Sequence, residues 1–252
     1  MGPPRHGNGY LPFVDLIALE KVDETTYRST ALPFSPNGSG RAYGGHVYAQ
    51  AVWAAAKTVE AGFVIHDLVR SIGTSSSSSC PGYNARRKST GRNDAFPGLE
   101  CRKVDMTQYN ASLTAFDRRQ LFLYRSLGDL PPDPNIHACA HLYASDRNSL
   151  FIVANHLEIS DKFTHMASLS HTVVFHCPVS QLMLQNQGSG ERTWFCQEVW
   201  TTRAAGGRAT HHSRIIGPDG AHVASTFQEG MIRVGVGENQ YERVYKKSLE
   251  RL

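Results

Sequence analysis

The stretch Gly44 to Val59, G-G-H-V-Y-A-Q-A-V-W-A-A-A-K-T-V, constrains the fold more than any other. Alanine is the best helix former, so this run predicts a helix. Its small side chains let a second layer approach closely, while Val47, Val52 and Val59 supply apolar bulk. The two glycines stand at the start, where the backbone N–H groups of a first turn are bare and able to face a ligand. A second helix is expected from Ala144 through A-S-D-R-N-S-L-F-I-V-A-N-H-L. Ser145 or Asp146 would be its N-cap, and Leu150, Phe151 and Val153 its buried stripe.

The remainder reads as strands and turns. T-Y-R-S-T-A-L alternates before the turn-rich F-S-P-N-G-S-G, and H-T-V-V-F-H is a buried strand. R-A-T-H-H-S-R-I-I and H-V-A-S-T-F-Q-E-G-M-I-R form a hairpin across a P-D-G turn, with Val223, Phe227 and Met231 in the second strand. D-L-P-P-D-P-N, Asp129 to Asn135, reads as a proline-rich joint. Each half therefore carries one helix and several strands, a duplicated α+β plan with units at 10–128 and 136–234 and a tail at 235–252. The halves share no obvious repeat in sequence identity.

Composition narrows the function classes. A net charge of +4 and a pI near 8.8 suit an anionic small molecule such as a nucleotide-tagged substrate, and are too weak to imply nucleic acid. The five cysteines are scattered, none in C-x-x-C and none at zinc-ligand spacing, so neither a disulfide framework nor a metal is expected. No apolar run approaches the roughly 18 residues that span a bilayer. The N-terminal segment lacks a signal-peptide core, and His6 breaks the myristoylation pattern. An intracellular protein with reduced thiols is expected, in the cytoplasm or, on the weak signal of the terminal Arg251-Leu252, the peroxisome.

Four separated motifs then stand in order: G-R-A-Y-G-G-H-V-Y-A-Q-A-V-W-A-A-A-K-T-V, Y-A-S-D-R-N-S-L, M-A-S-L-S-H-T-V-V-F-H and D-G-A-H-V-A-S-T-F-Q-E-G-M-I-R. Together they resemble the acyl-CoA thioesterase II (TesB-like) family, from about Phe13 to Arg233. The resemblance implies a double hotdog, an α+β fold of two antiparallel sheets that each wrap one helix. Two regions depart from the family. G-T-S-S-S-S-S-C-P-G-Y-N-A-R-R-K-S-T-G-R-N-D stands where it has core strands, and F-D-R-R-Q-L-F-L-Y-R reads as irregular. The first hotdog is therefore expected to be incomplete and irregular over 73–126, with no core strand from Thr74 to Asn93. The departure reads either as a true loop or as an altered reading frame.

The resemblance also implies an activity: hydrolysis of an acyl-CoA thioester to free acid and CoA, without a cofactor. A thioester needs only a polarised carbonyl and a delivered water. In the family an Asp, a Thr or Ser, and a Gln orient that water. The Gln carries over to Gln228 and the hydroxyl to Thr202, counted back from the P-D-G turn, with Thr201 a close rival. The Asp position holds Ser170. A serine can hold a water but cannot accept its proton at neutral pH, and losing a general base costs about 10²–10⁴ in rate. Strand alternation points His171 away from Ser170, and puts His176 on the same face but roughly 20 Å along. Gly44 and Gly45 are candidates to cradle the thioester oxygen. His46, where the family more often has Gln, lines the pocket or simply covers solvent. Arg86-Arg87-Lys88 reads as a solvated face, and Trp194 and Trp200 as core or interface.

The expected partner is an acyl-CoA substrate, with no nucleic acid and no membrane, and a homo-oligomer left open. The missing carboxylate keeps two alternatives in play. One is a non-hydrolytic relative of specialised metabolism, such as a cyclase, dehydratase or isomerase. The other is an acyl-binding paralogue without turnover.

Overall fold

The computed structural model describes residues 11–34, 42–71, 96–147, 149–160, 162–186 and 188–234. The expectations for Thr74 to Asn93, for Arg86-Arg87-Lys88 and for the tail at 235–252 lie outside these residues. In chain order the elements are α1 (Phe13–Leu16), β1 (Leu19–Lys21), β2 (Tyr27–Ser29), α2 (Gly44–Ala56), β3 (Asp67–Ser71), β4 (Leu99–Lys103) and α3 (Thr107–Asn110). There follow β5 (Gln120–Ser126), α4 (Pro134–Ser145), α5 (Ser149–His156), β6 (Phe163–Phe175), α6 (Val179–Leu182), β7 (Phe195–Ala205), β8 (Arg208–Ile216) and β9 (His222–Val234).

Strands β1 and β2 form a small ribbon, and the other seven make one antiparallel sheet in the order β3-β6-β9-β8-β7-β5-β4. The sheet runs across the division expected between residues 128 and 136, because β3, β4 and β5 of the first half flank the four strands of the second. Two tight turns build the central hairpins. Gly206 and Gly207, at φ 60° and 71°, let β7 turn directly into β8. The P-D-G turn joins β8 to β9 as the sequence predicts, closed by the Gly217 N–H on the Ala221 carbonyl at 2.8 Å. F-D-R-R-Q-L-F-L-Y-R is not irregular: its last residues open β5, whose Gln120, Phe122, Tyr124 and Ser126 are buried in strict alternation.

Helix α4 corrects a second expectation. The segment read as a joint ends in its N-terminus, with Asp133 accepting the Asn135 N–H at 2.9 Å and Pro134 in the first turn. Every residue from Asn135 to Ser145 is buried, so the helix has no apolar stripe for a periodic reading to find. Ser145 is its last residue and Asp146 its C-cap, so the single helix expected from Ala144 is two, with α5 starting at Ser149. As expected, the second of these lies against the sheet that holds His171–Phe175 and Val223–Met231: Ile152 packs with Val199 and Phe122, and Val153 with Ala204, Ala209 and Ile232.

Three histidines inside this core are bonded at both ring nitrogens. His46 of α2 accepts the Phe34 N–H on Nδ1 and donates from Nε2 to the Leu16 carbonyl at 2.9 Å. His137 accepts the Leu184 N–H and donates to the Pro131 carbonyl. His141 takes the Tyr124 hydroxyl on Nδ1 at 2.6 Å and donates to the Leu182 carbonyl. Each ring meets one donor and one acceptor, a pattern that only the neutral tautomer satisfies. Burial lowers the pKa of His46, and takes His137 down to about 4 and His141 to about 3. Helices α2 and α4 also pack very closely. Tyr43 donates its hydroxyl to the Tyr143 carbonyl at 2.8 Å, and a Cβ on Gly45 would stand 2.7 Å from the Tyr43 ring and 2.9 Å from that carbonyl oxygen.

Two outcomes follow for stability. As pH falls below the ordinary histidine pKa of about 6.5, the unfolded chain takes up protons that His46, His137 and His141 refuse in the fold. Stability is then fully present above about pH 6.5 and is lost toward pH 4, and the melting temperature should drop on the order of 10 °C between pH 7.5 and 5. A flat melting temperature over that range contradicts the neutral-ring assignment. Gly45→Ala should cost about 1–3 kcal/mol by overpacking, read as a lower midpoint in circular-dichroism melting.

Candidate active site

Antiparallel register lines up four polar side chains across the inner face of the sheet. Thr201 on β7 pairs with His211 on β8, His211 with Gln228 on β9, and Gln228 with His171 on β6. All four are buried, at 0%, 0%, 2% and 3% exposure. The turn between α4 and α5 lies over this row, and α5 closes its far end with His156, whose Nδ1 meets the Thr201 hydroxyl at 3.1 Å.

Gln228 is the hub. Its Oε1 accepts from His211 Nε2 at 2.7 Å, and its Nε2 donates to Asp146 Oδ1 at 2.7 Å and to Ser168 Oγ at 2.6 Å. A carboxylate only accepts, so Asp146 sets which end of the amide faces it, and Oε1 in turn sets the proton on His211 Nε2. Ser168 accepts from Gln228 and keeps its own hydrogen as a donor. His171 packs beside them, with Nε2 on Ser145 Oγ at 3.0 Å and Nδ1 3.6 Å from Asp146 Oδ1. The Ser145 hydroxyl donates to the Leu142 carbonyl, so its oxygen receives the His171 Nε2 hydrogen. Burial pushes His211 down to about 4, offset in part by the Gln228 hydrogen bond, and burial with the Arg118 and Arg119 charges does the same for His156. Tyr48 of α2 reaches the His171 carbonyl at 3.4 Å.

The residues singled out by sequence fall on different sides of the sheet. Gln228 turns its amide inward. Ser170 pairs with Glu229 just after a bulge at Ser168/Ser170, and lines a depression with Thr172, Thr210, His212, Phe227, Gln228 and Glu229, while the polar end of Gln228 is bonded inward. Thr202 sits in a second bulge, between Thr201 and Arg203, and its exposed hydroxyl bonds Thr210 Oγ1 at 2.8 Å. The structure therefore does not bring Ser170 and Thr202 to the Gln228 amide. Thr201, the rival reading, is the hydroxyl in its row. His46 neither lines a pocket nor covers solvent, because both of its nitrogens staple α2 to the Leu16 and Phe34 backbone. Gly45 serves the close approach to Tyr143, and Gly44 opens the helix.

Asp146, His211 and Ser168 were not singled out as site residues from the sequence. Counting back from the P-D-G turn puts His211 opposite Phe227, and an irregularity at Ile215/Ile216 shifts it to Gln228. The approach of Asp146 depends on where α4 ends over the sheet. Among the described residues, no group of three His, Cys, Asp or Glu side chains is placed to hold a metal ion. Among them, too, no helix is long and apolar enough to cross a membrane.

Comparison with known proteins places this architecture. A family model describing an acyl-CoA thioesterase C-terminal domain matches residues 81–232. Mouse acyl-coenzyme A thioesterase 8 is 29% identical over 123 residues, 48% of this chain and 35% of that protein. Acyl-CoA thioesterase 2 of Haemophilus influenzae is 26% identical over 122 residues, 48% of this chain and 39% of that protein. The alignments span little more than a third of the length of these curated relatives. Among solved structures, acyl-CoA thioesterase II TesB2 from Mycobacterium marinum superposes with a TM-score of 0.62 at 21% identity, covering 90% of this chain and 99% of that one. A hot dog fold protein from Alicyclobacillus acidocaldarius reaches a TM-score of 0.58 at 13% identity, covering 89% and 98%. Motif order, the antiparallel sheet over paired helices and the family match agree, and the chain belongs to the TesB-like acyl-CoA thioesterase II family, with its hotdog fold.

Proposed function

We propose that this protein hydrolyses an acyl-CoA thioester to the free acid and CoA at the inner-face row around Gln228, within a lipid or specialised-metabolite pathway. The observation that carries the reading is the state of the Gln228 amide. It is buried and held at both ends, by His211 on the oxygen and by Asp146 and Ser168 on the nitrogen. Such an amide is pre-set, and the second lone pair of its oxygen can accept a hydrogen from a water without reorganising during the reaction. Ser168 is half-buried and still has a hydrogen to donate, which suits a thioester carbonyl oxygen. The expected acyl-CoA partner also fits the mild positive charge of the chain.

One observation favours a second reading. Position 170 carries no carboxylate and its serine faces the outer side of the sheet, as in an acyl-binding paralogue without turnover or a relative with altered chemistry.

The purified protein, given a panel of short, medium and aromatic acyl-CoAs, should release free thiol with at least one of them. Gln228→Ala should lower kcat on that substrate by about 10²-fold. Absence of thiol release across the whole panel would select the second reading.

A further inference from the structure

The geometry points to Asp146 as the proton acceptor of the site, in place of the carboxylate absent at position 170. This inference rests on the hydrolytic reading above and names the base that such a reaction needs. Three observations converge on it. Asp146 Oδ1 stands 2.7 Å from Gln228 Nε2, so the carboxylate adjoins the amide whose oxygen keeps one lone pair to accept from a water. It also stands 3.6 Å from His171 Nδ1, which carries a lone pair once the Nε2 hydrogen is on Ser145 and so faces any proton that Asp146 takes up. Finally, Ser168, whose hydroxyl oxygen accepts from the same Gln228 amide, belongs to the same cluster.

The chemistry closes on these groups. A water beside Gln228 gives a proton to Asp146 as its oxygen bonds to the thioester carbonyl carbon. Collapse of the tetrahedral adduct breaks the C–S bond. The departing CoA sulfur takes the proton back from Asp146, leaving a free acid, a CoA thiol and the carboxylate restored. His171 Nδ1 is placed to share the proton while Asp146 holds it. The cluster keeps the elements of a water-activating site but draws its carboxylate from the turn between two helices instead of from strand β6. Ser170, on the other face, has no part in it.

The test uses the acyl-CoA with the fastest wild-type turnover. Asp146→Asn should lower kcat by about 10²-fold or more, with KM within about 3-fold and folding intact by circular dichroism. In Asp146→Ala, added formate should restore turnover in a saturable way, an effect that a purely structural role would not produce. Ser170→Ala should leave kcat within about 3-fold, and Ser170→Asp should bring no gain. If Asp146→Asn does not fold, Asp146→Glu keeps the charge but moves it by a methylene, and kcat should still fall by about 10-fold. Wild-type turnover that survives Asp146→Asn or Asp146→Glu unchanged, or a gain with Ser170→Asp, overturns the inference while hydrolysis stands. A wild-type protein inactive on the whole panel overturns both.

Discussion

A helix enclosed on all sides depends on partners for most of the polar groups it carries, and α4 is enclosed from Asn135 to Ser145. Its partners define the interior. His137 and His141 reach the backbone of the segment around α6, at Leu184 and Leu182. The Tyr143 carbonyl receives α2 through Tyr43, and the Ser145 carbonyl receives Gln197 from β7 at 3.1 Å. A buried donor or acceptor without its partner costs about 1–3 kcal/mol. Helix α4 is thus fixed in rotation as well as in position. Where it ends is fixed with it, and it ends over the polar row, with Asp146 in the turn that follows.

The sheet does two different things on its two faces, because side chains alternate with period two. Inward, Thr201, His211, Gln228 and His171 make one continuous row in register. Outward, the neighbouring positions build an aromatic stripe: Trp200 lies against His212 and His212 against Phe227, with ring centroids 5.9 and 4.6 Å apart. Two bulges, at Ser168/Ser170 and Thr201/Arg203, adjust which residues belong to which face. One extra residue in a strand decides whether a hydroxyl meets Gln228 or faces outward.

Much of this was legible before any coordinates. The helix from Gly44 is Gly44–Ala56, the P-D-G hairpin is β8–β9, and the strand around H-T-V-V-F-H is the end of β6. Alanine content and turn residues act locally, so they survive translation into structure. The opposing facing of Ser170 and His171 also followed from alternation alone. What failed to read was α4, since a helix buried all round shows no amphipathic period, and its D-P start was taken for a joint. The strand β5 was missed because Arg118-Arg119 ahead of it hid a short alternating run; those arginines lie at the outer margin, Arg118 pairing with Glu158 and Arg119 with Glu198.

By itself the sequence determined the family motifs and their order, the helix–strand alternation of each half, and the choice of Gln228 as a candidate site residue. It also determined that position 170 carries no carboxylate. Only the tertiary structure decided which groups surround that glutamine. Asp146 and Gln228 are 82 residues apart in the chain, and their 2.7 Å contact exists because α4 stops where it does above β9. Spacing along a chain sets local conformation. The meeting of a helix end with a strand interior is set by packing between layers, which no local pattern encodes.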